Sequence, residues 1–211
     1  MKHVRSYHRG YLITESKVED KNIINVDIQP EYEDGFGHFL NKWVKFINKN
    51  SELNNIIFLY NGEYSGTIDI SEDEYKDWLI GCGIKESVIE SAIFYDKGYA
   101  FFRTCMDAGI DEQAIVDLVK YMIEHDITDS RDIDTDMWDD YMEETDHTAD
   151  DVRDLLEEAG DMINIPELMD FLKRFRNIVL TGGGITACLK EVEIALMVLG
   201  KRYEILEEYT Y

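Results

Sequence analysis

Apolar residues along the chain fall into two alternating kinds of run. NIINVDIQ (22–29) and NIIFLY (55–60) are short and rich in β-branched residues, the pattern of buried strands. The first stops at Pro30 and the second at the turn Asn61-Gly62. SAIFYDKG (91–98) contains a third short strand, NIVLT (177–181) a fourth, and RYEILEEY (202–209) a last one; Tyr11–Thr14 is a shorter strand-like patch. Between them the period changes to that of a helix. In 35–50 the apolar positions are Phe36, Phe39, Leu40, Trp43, Val44 and Ile47, and 110–126 repeats the pattern strongly. Short helices are expected over 72–81 and 85–91. A helix over 165–175 carries Pro166 in its first turn, and another over 188–199 ends at Gly200.

Strands alternating with helices predict an α/β fold of three layers, a mainly parallel sheet flanked by helices. In such sheets ligands sit beyond the carboxyl ends of the strands. Asp27 falls at the end of the first buried strand, Lys97 just after the third, and Cys188 at the helix start after the fourth. An acid, an amine and a thiol at equivalent places on different strands are placed to converge.

At 211 residues the chain suffices for one domain over 1–211. Its charge is unusual: 21 Lys plus Arg against 45 Asp plus Glu, a net of −24. That balance argues against nucleic acid and against anionic membrane surfaces as partners. Residues 126–161 hold 16 acidic residues against Arg131 and Arg153, a net of −14, so more than half of the excess sits in one segment. This stretch reads as an acidic, partly helical insertion at about 126–165, with one helix starting near Thr148. Cys82, Cys105 and Cys188 are far apart and show no CxxC spacing, which favours a reducing compartment. The first twenty residues lack a signal-peptide core and no apolar run reaches membrane-spanning length, so a cytoplasmic protein is expected.

Three segments carry a resemblance. VDIQPEY (26–32) has a strand ending in Asp, followed by Gln and an aromatic. YDKGYAFFRT (95–104) has a Lys followed by aromatics. VLTGGGITACLKEVEIALMVLG (179–200) runs strand, glycine, threonine, then Cys at a helix start. In that order they resemble the signatures of the isochorismatase-like cysteine hydrolases, over about a quarter of the chain. The resemblance implies a Rossmann-like fold with Cys188 as nucleophile, Asp27 as the base that takes its proton, and Lys97 holding both by charge. It implies hydrolysis of a small amide or related molecule without a cofactor, in a protein that pairs or tetramerises in many of its relatives. It also implies an oxyanion site from the backbone of the turn through Ile185, Thr186 and Ala187, with Tyr99 and Phe102 walling the substrate. Charge and the helix terminus are expected to lower the Cys188 pKa. The sequence departs from the family in places. Ile185 stands where the family's threonine is expected, with Thr186 one residue later. The 90 residues between Lys97 and Cys188 exceed what one helix needs. A final strand and helix beyond 202–209 are not evident. The Asp-x-His metal motif of the nicotinamidases has no counterpart in YNGEYSG (60–66).

Each residue alone has a plainer reading: Asp27 as a turn cap, Lys97 as a solvated turn lysine, Cys188 as a small core residue, Tyr99 and Phe102 as core aromatics. Taken together they read as a site. GGGIT lacks the lysine of a P-loop and the GxGxxG spacing. Asp132, Asp134, Asp136 and Glu143 occupy EF-hand positions one, three, five and twelve, but Met137 replaces the turn glycine, so no metal is expected. Two other functions stay open. One is a catalytically silent relative that binds a ligand or protein, through its acidic segment among other surfaces. The other is an acidic decoy that mimics DNA.

Overall fold

The computed structural model describes residues 10–12, 20–62, 70–97, 109, 112–127, 132–145 and 165–211. Six parallel strands form one sheet: β1 (Gly10–Leu12), β2 (Asn22–Val26), β3 (Asn55–Tyr60), β4 (Ile93–Asp96), β5 (Ile178–Gly182) and β6 (Tyr203–Ile205), in the order β1-β6-β5-β2-β3-β4. The expected α/β class and the strands at 22–29, 55–60, 91–98 and 177–181 are therefore present. The sheet is parallel throughout. The edge beside β6 is filled by β1 from the amino-terminal segment.

Successive strand residues face opposite layers, and two apolar clusters result. Ile23, Ile56, Phe58 and Val179 pack with α1 (Glu33–Phe36), α2 (Leu40–Asn50), α3 (Glu72–Gly81) and α4 (Glu86–Ser91). Ile24, Val26, Ile57, Leu59 and Leu180 pack with α5 (Glu112–Glu124), α6 (Thr135–Thr145), α7 (Ile165–Lys173) and α8 (Cys188–Val198). The three layers follow from this alternation. One polar group in the sheet is satisfied internally. The Trp43 indole donates to Asn25 Oδ1 at 3.0 Å, and the Thr181 hydroxyl donates to the same oxygen at 2.6 Å.

Several boundaries differ from the sequence expectation. The strand at 22–29 stops at Val26, because Asp27 turns into the left-handed region with φ +48°. The helix at 35–50 divides in two at residues 37–39, with Phe36 fully buried between the halves. The strand at 202–209 ends at Ile205, and a 3-10 turn over Glu207–Tyr209 redirects the chain.

Part of the acidic segment is helical and packed on the core. Residues 135–145 form α6, which buries Trp138 and Tyr141 against α5. Tyr121 Oη donates to the Met137 carbonyl at 2.9 Å across that contact. The Asp134 carboxylate caps the helix by accepting from Met137 N at 2.9 Å. A helix from residue 135 removes the loop that an EF-hand needs. The helix start expected near Thr148 lies outside the described residues.

Candidate active site

The order 6-5-2-3-4 places β2 and β5 side by side where the winding direction reverses, the point at whose carboxyl ends such sheets bind their ligands. Asp27, Asn61 and Lys97 are each the first residue beyond three adjacent strands, β2, β3 and β4. The parallel ladder extends just far enough to fix them: Asp27 N donates to Leu59 O and Lys97 N to Tyr60 O, both at 2.9 Å. Their side chains meet. Lys97 Nζ lies 3.1 Å from Asp27 Oδ2, 3.1 Å from Glu191 Oε2 and 3.0 Å from Asn61 Oδ1. An ammonium has three N–H bonds, and here three acceptors receive them. Asp27 is 0 % exposed, and Lys97 and Glu191 are each 1 % exposed. Burial at that depth is tolerable for charges only in such a network.

Gln29 and Tyr32 brace this cluster from the loop after β2. Gln29 Oε1 accepts from Asn61 N at 2.9 Å, and Gln29 Nε2 donates to Asn61 O at 3.2 Å, a two-point clamp on the Asn61 backbone. Asn61 Nδ2 donates to Tyr32 Oη at 3.1 Å. The amide is thereby oriented with its oxygen toward Lys97.

Cys188 enters from the other side of β2. Gly182 and Gly183 both take positive φ, +73° and +63°, and turn the chain sharply after β5. A side chain at Gly182 would strike Val26 O and come within 2.7 Å of Ile28 Cγ1; one at Gly183 would come within 2.8 Å of Leu189 N. The glycines are thus a device for close backbone approach, which lets α8 begin with its first residue, Cys188, beside Asp27. Within the turn Ile185 N donates to Tyr211 O at 2.6 Å, and Ala187 N to Gly184 O at 2.9 Å. The amides of Thr186 and Cys188 make no backbone bond among the described residues, as the first amides of a helix commonly do not. All peptide bonds of the turn are trans. Of the residues expected to bind substrate, Ile185 and Ala187 are partly buried and Thr186 is exposed on this turn. Tyr99 and Phe102 lie outside the described residues.

Electrostatics depart from expectation at the thiol. Burial opposes the charge on Lys97, but Asp27 and Glu191 outweigh it and hold the ammonium above its ordinary pKa. At Cys188 burial raises the thiol, and Asp27 raises it further by its charge and by hydrogen bonding; Lys97 lowers it but does not reverse the sign. The expected depression of the Cys188 pKa is therefore overturned: at neutral pH the thiol keeps its proton. The reason is geometric. The thiol is largely buried, Lys97 directs its three bonds to Asp27, Glu191 and Asn61, and the Asp27 carboxylate acts on the sulfur more strongly than the ammonium does.

The structure thus brings Asp27, Lys97 and Cys188 into one cluster, and adds residues that the sequence pattern did not single out. Glu191 stands three residues after Cys188, on the same face of α8. An acidic residue flanked by Leu189, Val192 and Ala195 was the available signal. Asn61 read only as a turn residue. Tyr211 is brought to the cysteine turn by the redirection after β6, with Tyr211 N donating to Gly183 O at 3.2 Å. No group of three or more His, Cys, Asp or Glu among the described residues is arranged to hold a metal ion. A polar cleft of about 430 Å³ lies at the opposite, amino end of the sheet, lined by Lys21, Asn22, Asn55 and Arg176, away from these groups. No helix among the described residues is long and apolar enough to cross a membrane. Comparison of the chain with protein-family models, with curated proteins and with solved structures found no match.

Proposed function

We propose that this protein is a cysteine hydrolase of isochorismatase-like type, acting on a small amide or related molecule through Cys188, Asp27 and Lys97. The observation that carries the reading is the meeting of a buried, lysine-held carboxylate with a partly exposed thiol at a helix start. Such a carboxylate is placed to act as general base toward a thiol that is protonated at rest. Asp27 takes the proton as Cys188 Sγ attacks the carbonyl carbon, forming a C–S bond. The oxyanion that develops faces the two uncommitted amides of Thr186 and Cys188, each such donor being worth roughly 100-fold in rate. Collapse breaks the C–N bond, and the amine leaves with the proton from Asp27. Water, deprotonated by Asp27, then cleaves the thioester, releasing a carboxylic acid and restoring the thiol. Lys97 keeps its protons throughout and holds Asp27 in place by charge. Each step closes within these residues and water, so the reading needs no cofactor.

The substrate in this reading is a small molecule, and the workplace is a reducing cytoplasm where Cys188 stays a free thiol. Association into homo-oligomers follows from the same family likeness. A panel of uncharged primary amides and imides, assayed for released ammonia or amine, tests the reading. Turnover by the wild type, and none by Cys188→Ala, is expected. One observation favours a second reading, a silent relative that binds without turnover: the thiol is pushed up rather than down. Equal, background rates for wild type and Cys188→Ala across the panel, with no acyl adduct at Cys188, would select it.

A further inference from the structure

Tyr211 occupies a place that packing alone does not account for. Its backbone is tied to the cysteine turn at two points, accepting from Ile185 N at 2.6 Å and donating to Gly183 O at 3.2 Å. Its ring lies over α1, so close that a side chain at Gly35 would come within 2.5 Å of it, and it contacts the Phe36 ring at a centroid distance of 6.1 Å. Between these anchors the phenol Oη is buried, and among the described residues it has no hydrogen-bond partner. The charged and titratable groups facing it are Cys188, Asp27, Tyr32 and Lys97. A buried hydroxyl without a partner is costly, and a tyrosine so placed usually finds one. Asp27 Oδ1, buried in the same cluster, likewise takes no bond from a nitrogen or oxygen donor among the described residues. Neither group fills the other's need. Lys97 offers nothing to either, because its three protons are committed.

We propose that Tyr211 is a substrate-binding residue: its O–H donates to an acceptor oxygen of the substrate, close to the carbon that Cys188 attacks. The substrate class is then an uncharged compound whose electrophilic carbon carries or adjoins a carbonyl oxygen, as in primary amides and imides. The inference rests on Cys188 being the nucleophile. It adds the group that completes the phenol's hydrogen bonding only when substrate is bound. Burial, with the charge of Asp27, holds the phenol protonated and so a donor across the working range.

Two alkylating reagents separate the possibilities. Iodoacetamide carries a carbonyl acceptor beside its reactive carbon; methyl iodide carries none. Their rates at Cys188 are measured by peptide mass mapping in the wild type and in Tyr211→Phe, with Cys82 as the internal reference. Loss of one neutral hydrogen bond corresponds to about tenfold. The ratio of iodoacetamide to methyl iodide rates at Cys188 should therefore fall by about tenfold in Tyr211→Phe, with the methyl iodide rate unchanged. The same substitution deletes a buried, unpartnered hydroxyl, so the urea midpoint of the free protein should hold or rise. An unchanged ratio would overturn the proposal. So would a clear fall in the midpoint, which would mean that the hydroxyl is satisfied within the free protein. If neither reagent modifies wild-type Cys188, the nucleophile reading itself fails, and this inference fails with it.

Discussion

Glu191 Oε2 stands 3.1 Å from Lys97 Nζ, as near as Asp27 Oδ2 does on the other side, so one buried ammonium joins two carboxylates from different elements. Asp27 belongs to the end of β2 and Glu191 to the first turn of α8. The lysine therefore ties the cysteine helix to the sheet as well as holding the base.

Replacing Lys97 by Met keeps the volume and removes the charge, leaving Asp27 and Glu191 buried without that cation. Breaking a buried pair in this way costs about 3–5 kcal/mol. Urea unfolding followed by circular dichroism should show a loss of that size in Lys97→Met. Adding Glu191→Gln should restore part of it, because one of the two buried carboxylates is then neutral.

The thiol and the base respond in opposite directions to one substitution. Burial and the Asp27 carboxylate both keep the Cys188 thiol protonated. In Asp27→Asn the second cause disappears and the thiol ionises at lower pH. Alkylation of Cys188 by iodoacetamide at pH 8 should then quicken, about tenfold for every pH unit by which the ionisation midpoint falls. Turnover should fall by about 100- to 10,000-fold, because the general base is lost. A reactive cysteine that serves no catalysis would gain in the first assay and have nothing to lose in the second.

Stability should fall on the alkaline side. Cys188 and Tyr203 are raised chiefly by burial, and Lys97 is raised because its carboxylate partners outweigh burial. All three hold more protons folded than unfolded once pH passes the ordinary thiol, phenol and amine values of 9.0, 10.0 and 10.5. Unfolding free energy therefore decreases as pH rises through that window, by up to about 1.4 kcal/mol per pH unit for each group. Well below pH 9 these groups contribute almost no slope. Urea midpoints at pH 7.5, 9 and 10.5 check this, and Lys97→Met should lose part of the alkaline slope.

The sheet was legible because its central strands are buried on both faces, and NIINV, NIIFL and NIVLT are short runs of β-branched and other apolar residues interrupted only by Asn and Thr. Asp27, Lys97 and Cys188 stood out as chemistry-bearing residues just past such runs. Glu191 and Tyr211 were not legible. An acidic residue on an apolar helix gains meaning only when the lysine it faces is known, and that lysine lies 94 positions away in sequence. Tyr211 reaches the site through a 3-10 turn that the strand-like pattern of 202–209 concealed. α6 was hidden by its own charge, although Met137, Trp138, Tyr141 and Met142 recur at helical spacing. The direction of the thiol's pKa depended on which acceptors the lysine uses, a property of three dimensions.

Acyl transfer to the thiol tests the central claim most directly. Incubated with p-nitrophenyl acetate, the wild type should release a burst of nitrophenol and carry a single acetyl group, which peptide mapping locates on Cys188. Cys188→Ala should show no burst. Acetyl groups found only on surface lysines, or equal bursts from the wild type and Cys188→Ala, would contradict the account.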